Sequence, residues 1–371
     1  MRKLLLLLLF CLPSWGAWSY YYPLTYAPSS CGSSTSSNFP ALVAFNAAAL
    51  KDAAHGGDVQ SSAGADILFF SDSGLTTQVA SELDSYDNVD GIGYFWVQIT
   101  CNSSTAVAYY MAVGNPSPPS RTAGVWDSHF MGVWHFGNAT TLSATDSSVY
   151  AASNLASVVG AVPAAGGKIG GSSGWSNSTS NYISIANSAA TDFITSALTL
   201  EAWVNHVPDA TNRQIFEKAA GPGDSQRKYG FYVNPTQYFG FELRTSSGNT
   251  VDAVTNLITV PSGSWQHLVG TYDGTLMRMY LNGAYERSTS QTGSLVSQSS
   301  PATIGVFADS YSPFDGLIDE LRVSDICRSA DWINAEYNNQ NAPGNIGSPG
   351  FWTFGAKTGA AIARRRTIVV Q

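Results

Sequence analysis

A chain of 371 residues is longer than one hydrophobic core usually serves, so two domains are expected. Its formal net charge of −8 leaves no basic face for a phosphate backbone, which excludes nucleic acid as the expected partner. Charged residues reach only 12%, no more than aromatics, and with abundant Ser, Thr, Gly and Asn that balance suits a secreted β protein.

Met1-Arg2-Lys3 leads into the short apolar run Leu4–Leu12. A basic start and a brief apolar stretch read as a secretory signal, too short to span a bilayer in the mature protein. Ser14 and Gly16 supply small residues for cleavage after Gly16, so residues 1–16 are expected to be removed. The mature chain is expected outside the cell or at its surface. No later segment has the length and apolarity of a transmembrane helix.

Residues 17–128 read as an N-terminal β domain. Ala41–Phe45, Asp66–Phe70, Gly93–Thr100 and Ala106–Val113 are rich in β-branched or aromatic residues. Strict alternation sends Phe95, Val97 and Ile99 to one side of a strand and Tyr94, Trp96 and Gln98 to the other. Ser71–Gly74 and Asn88–Gly91 punctuate these runs as turns. Cys31 and Cys101 fall together in this exported domain and are expected to form a disulfide. Cys327 is left over as a small apolar residue expected to be buried. No Cys-x-x-Cys occurs and the five histidines are scattered, so nothing suggests zinc.

Residues 129–345 read as a second β domain. A Gly/Ser/Ala/Thr-rich stretch at about 139–180 is expected to be a surface connection, after which Tyr182–Ala186 resumes a strand. Leu198, Leu200, Ala202 and Val204 line one face of a further strand, with Glu201 and Trp203 opposite. Asp273-Gly274 and Asn282-Gly283 flank the alternating run Met277, Met279, Leu281, which predicts three antiparallel strands joined by type I′ turns. A short helix is expected after Val323, with Ser329 as cap, Asp331 in its first turn, and Ile333 and Tyr337 one turn apart. Residues 346–371 read as a C-terminal tail ending near Arg364-Arg365-Arg366, either frayed or docked as an edge strand.

Trp265-Gln266-His267, Gly270–Gly274, Tyr280–Gly283 and Asp315–Glu320 together resemble laminin-G-like modules of the concanavalin A-like lectin and glucanase superfamily. Residues from about 131 to 327 carry the likeness. The N-terminal domain resembles an uncharacterised β domain often found before such modules in secreted bacterial and archaeal proteins, through Asn38–Val43, Ala65–Phe69 and Tyr94–Val97. The resemblance implies an all-β protein of two β-sandwich-type domains, the second a concanavalin A-like jelly roll. Such a fold hosts binders and glycosidases alike.

Glycosidases of that superfamily carry Glu-x-Asp-x-x-Glu on one strand. Asp319 matches its central aspartate, but Leu317 and Arg322 stand where the two acids are required, and strand alternation turns Glu320 to the opposite face. Hydrolysis is therefore disfavoured. Gly170-Gly171-Ser172-Ser173-Gly174 spells a nucleophile elbow only by composition, since no helix follows it. His135, His206 and His267 lie near aromatics without a carboxylate at a readable spacing and are expected to be structural. Relatives of the module often hold a structural Ca²⁺, which makes Asp315, Asp319 and the weaker Asp146 candidate ligands, against the alternative that Asp315 simply builds its turn. Sugar recognition needs flat aromatics beside planar polar groups. Tyr238, Phe239, Phe307, Tyr311 and Phe314 are the candidates, each with core packing as the alternative.

The expected protein is a secreted, non-catalytic binder of an extracellular glycan, lectin-like or adhesive, at a cell or matrix surface. The alternatives are a structural, adhesive subunit that binds a surface protein and, behind it, a glycoside hydrolase.

Overall fold

A computed structural model of the chain describes residues 18–221, 226–248, 251–254, 263–307 and 311–360. The expected signal peptide at 1–16 and the Arg364–Arg366 cluster lie outside the described residues. The protein is mostly β, with one α-helix among the described residues.

The N-terminal sandwich packs two antiparallel sheets. One has three strands, in the order Ser36–Asn46, Ile92–Cys101, Ser81–Asp87. The other runs Trp352–Phe354, Tyr20–Tyr26, Tyr109–Val113, Leu68–Phe70, with Thr358–Gly359 also on Tyr20–Tyr26. The stretch expected as a tail thus supplies two strands to the first domain, and Trp352 is fully buried there. The jelly roll is an insertion between the beginning and the end of that sandwich.

Alternation in Ile92–Cys101 holds. Phe95 packs on Phe45 and Phe69 within the first core, while Trp96 faces the second domain, stacked on His135. Cys31 and Cys101 are bonded, tying the turn at Pro28–Cys31 to the end of that strand. Cys327 is free but half-buried, not fully covered as expected.

The jelly roll packs a seven-stranded sheet on an eight-stranded one. Leu198, Leu200, Ala202 and Val204 enter the core between them, as do Met277, Met279 and Leu281. Gln266–Tyr272, Leu276–Leu281 and Ala284–Ser290 are consecutive antiparallel neighbours. Asn282 (φ 51°) and Gly283 (φ 76°) make the left-handed pair of a two-residue turn. The Asp273-Gly274 turn differs. Only Gly274 has positive φ (90°), and the Asp273 carboxylate organises the turn by accepting from the N–H groups of Thr275 and Leu276. Gly171–Ser176 is a buried strand beside Asp315–Ser324, not surface connection, because glycine and serine are small enough to pass beneath Asn138 and Pro163.

Helix α1, Ala330–Asn341, begins as expected: the Ser329 hydroxyl accepts from Trp332 N–H and Asp331 lies in the first turn. It is buried on two sides. Trp332 and Ala335 join the first core, whereas Ile333 packs on Val269 and Tyr280, and Tyr337 stacks on Trp203. Two apolar stripes on one helix fasten the domains together.

Candidate functional site

The outer face of the seven-stranded sheet is built by alternation. In Arg227–Val233, the side chains of Tyr229, Phe231 and Val233 enter the core, which turns Lys228, Gly230 and Tyr232 outward. In Phe239–Leu243, Phe239, Phe241 and Leu243 enter and Gly240 and Glu242 turn outward. A bulge in Arg213–Ala219 lets Ile215 and Phe216 both enter, leaving Gln214 and Glu217 outside. The register then sets Glu217, Gly230, Glu242 and Asp252 in one row across four strands.

Two glycines shape this face. A Cβ at Gly230 would collide with the Glu217 carboxylate, and one at Gly240 with the Tyr232 ring. Their absence lets Glu217 reach across to Glu242 and lets Tyr232 lie over the neighbouring strand. The result is a cleft of about 350 Å³, lined by Gln214, Arg227, Tyr232 and Glu242 below and by Phe307 and Tyr311 at its edge. Tyr311 is 60% exposed. Arg227 ion-pairs with Glu242, and its guanidinium lies 4.8 Å from the centre of the Phe307 ring.

The electrostatics follow from crowding. Burial, with the Glu242 carboxylate next to it, pushes the Glu217 carboxyl well above its usual range. The Tyr232 phenol is raised by burial and by Asp252. Burial opposes the Arg227 charge, but Glu242 and Glu217 outweigh it and hold the guanidinium protonated. The cleft therefore offers carboxyl groups, a guanidinium and an amide beside three aromatic rings.

Of the expected sugar-contacting aromatics, Phe307 and Tyr311 meet in this cleft. Tyr238 is half-buried on the turn that Asn234 closes, and does not line it. Phe239 and Phe314 are core residues, a correction: alternation puts Phe239 on the side of Phe241, and Phe314 packs beneath His206. Tyr232 and Glu242 went unrecognised, although Tyr-x-Phe-x-Val and Phe-x-Phe-x-Leu already announce which positions face out; Arg227 is in phase with the core positions and reaches the cleft where the register shifts between Lys218 and Ala219.

The three candidate calcium ligands do not converge, which corrects their grouping. Asp315 and Asp319 are four residues apart on one strand, about 13 Å at ordinary strand rise. Asp146 accepts from Val133 N–H, Ser148 N–H, the Ser148 hydroxyl and the Asn154 amide, which occupies its lone pairs. Asp319 lies in the seam between the domains. There Glu320 turns out to share its face, because a bulge opposite Ala202 breaks the alternation and holds Glu320 at φ 51°.

Two buried groups in the seam have the composition of metal ligands: Asp84, His135 and Glu320, and separately Glu201, His267 and Glu336. His135 Nδ1 bonds Glu320 at 2.8 Å, while His267 packs between Trp203 and Tyr337. His206 bonds the Asp315 carbonyl and Gln237.

Residues 177–334 match the family model described as the concanavalin A-like lectin/glucanases superfamily. Among solved structures, the chain is similar to the binding domain of Paraclostridial Mosquitocidal Protein 1, at 12% identity and TM-score 0.46, over 58% of this chain and 53% of that one. It is similar to domain 4 of AbnA, a GH43 extracellular arabinanase from Geobacillus stearothermophilus in complex with arabinotriose, at 18% identity and TM-score 0.44, over 55% and 96%. A third likeness is to the binding domain of Botulinum Neurotoxin DC in complex with SialylT, at 11% identity and TM-score 0.45, over 57% and 51%. The chain spans about half the length of the two toxin domains. No curated protein matches it.

Proposed function

Residues 177–334 form a concanavalin A-like lectin/glucanase domain, and from that premise we propose that the protein is a secreted, non-catalytic binder that takes carbohydrate in the cleft on the outer face of its seven-stranded sheet. The observation that carries this reading is Tyr232 laid across Gly240, with Arg227, Glu242 and Gln214 beside it. A ring lying along a sheet meets the apolar face of a pyranose, while fixed amide, guanidinium and carboxyl groups meet its hydroxyls. Tyr311, exposed at the edge, closes over the second face. The cleft volume is at the small end for ligand sites, which suits the terminal sugar of a chain rather than a long segment.

A binding role is favoured over hydrolysis by the carboxylates. Glycosidases set theirs about 5 Å apart or more, straddling a scissile bond. Glu217 and Glu242 meet over a single glycine, close enough to share a proton. Asp319 is fully buried under the first domain. Export agrees with the Cys31–Cys101 bond, which persists in oxidising compartments.

A glycan array with the mature protein tests the proposal, using wild type, Tyr232→Ala and Tyr311→Ala. Saturable retention that both variants lose is expected. Retention that survives Tyr232→Ala would move the site elsewhere, and uniform silence together with self-association would favour the structural, adhesive alternative.

A further inference from the structure

The seam between the domains carries more buried acid than it has cations to balance. Arg322 is already committed: its Nη2 bonds Glu320 at 2.8 Å, and its Nη1 reaches Glu336 at 2.6 Å and Glu201 at 3.3 Å. That guanidinium fills the space a cation would need between Glu201 and Glu336, so the group containing His267 is closed to an ion. The group around His135 is different. Asp84, from the first domain, has a side chain with no exposure, and neither of its oxygens meets a donor at good hydrogen-bond geometry, although the Trp96 indole N–H, itself unpaired, lies close enough to favour its charge. Its Oδ2 lies 4.0 Å from His135 Nδ1, which is itself 2.8 Å from Glu320. Asp319 adds a second orphan: its Oδ2 accepts from Ile169 N–H, and its Oδ1 has no partner.

We propose that Asp84, His135 and Glu320 bind a divalent transition-metal ion that clamps the two domains together. One ligand atom from each of Asp84, His135 and Glu320 lies within 4.8 Å of the others, a spread that one ion draws together with small side-chain movements. An imidazole among carboxylates suits Zn²⁺ or Mn²⁺, whereas Ca²⁺ takes oxygen ligands only. The bulge at Glu320 makes the site, since regular alternation would send one of two adjacent carboxylates into the core. A cleft of about 420 Å³, lined in part by Glu82, Trp126 and Ser147, lies one side chain away from the group: Glu82 Oε1 is 3.9 Å from His135 Nε2. The alternative is that the orphan carboxyls are held protonated, a state that burial favours. The two states are distinguishable because ion binding must expel those protons.

The test titrates Zn²⁺, Mn²⁺ and Ca²⁺ separately into the EDTA-treated mature chain by calorimetry, in two buffers of different ionisation enthalpy, and follows thermal unfolding with each ion. One Zn²⁺ or Mn²⁺ per chain, proton release, a raised Tm and at least tenfold weaker Ca²⁺ binding are expected. Asp84→Asn should weaken binding at least tenfold, while Glu217→Gln, on the opposite sheet, should leave it unchanged. Binding undiminished in Asp84→Asn would overturn the proposal. So would a wild-type protein in which no ion gives binding heat or a Tm shift, a result that needs no variant to fold.

Discussion

Asn339 of helix α1 holds both backbone polar groups of Leu42: its Oδ1 accepts from Leu42 N–H at 2.6 Å and its Nδ2 donates to Leu42 C=O at 2.9 Å. A side-chain amide here does what a neighbouring strand would do for the edge of Ser36–Asn46. Asn345 repeats the arrangement four residues along, on Asn46. Replacing Asn339 by Ala removes two buried hydrogen bonds and leaves Leu42 N–H unpaired. A loss of about 2–3 kcal/mol in unfolding free energy is expected from denaturant titration. The exposed Asn334→Ala, on the same helix, should stay within about 0.5 kcal/mol of wild type.

Gly240→Ala is the narrowest probe of the cleft. The added Cβ meets the Tyr232 ring and must displace it. Glycan retention is expected to fall about tenfold, equivalent to about 1.4 kcal/mol, with a melting temperature close to wild type. Gly166→Ala, where a Cβ meets nothing within 4 Å, is the matched control and should bind normally. Equal affinity in both variants would remove Tyr232 from the site.

The disulfide closes a loop of 70 residues in sequence. Constraint of the unfolded chain over such a loop is worth about 4 kcal/mol. Cys31→Ala combined with Cys101→Ala should lower unfolding free energy by that order, and reductant should reproduce the effect on wild type without altering the variant.

Asp192 sets part of the acid limit. Burial opposes its ionisation, yet it accepts from Lys228 Nζ at 2.6 Å, Gln298 N–H at 2.6 Å and the Ser297 hydroxyl at 2.7 Å, and its carboxyl sits below its ordinary value of 3.8. A folded-state value below the unfolded one gives stability that is present above the unfolded value and lost as pH falls through the folded one. Wild-type unfolding free energy should therefore drop as pH falls below about 4, and Asp192→Asn should show a flatter acid limb. Superimposable limbs would mean that Asp192 contributes nothing.

What could be read from the sequence was what short-range periodicity encodes. Trp96 opposite Phe95, the Met277–Leu281 strand between its turns, and the Ser329 cap of α1 each depend on neighbours within a few residues. Phe239 and Phe314 were misplaced because aromatic residues beside polar loops look alike whether they pack inward or outward. The seam was illegible for a different reason. Asp84 meets Glu320 across 236 positions of chain, and the bulge that turns Glu320 outward leaves no mark in residue type. The return of Trp352–Phe354 to the first sheet is likewise a long-range pairing of short segments that local patterns do not reveal.

That return has a consequence for how the molecule is made. Tyr20–Tyr26 leaves the ribosome long before one of its partner strands, which is synthesised more than three hundred residues later. The inserted jelly roll can be completed in the meantime, so the sheet that brackets it is sealed afterwards. An interruption of translation anywhere before Trp352 releases a product with an open sheet edge and an unfilled hydrophobic socket, the kind of species that quality-control proteases remove.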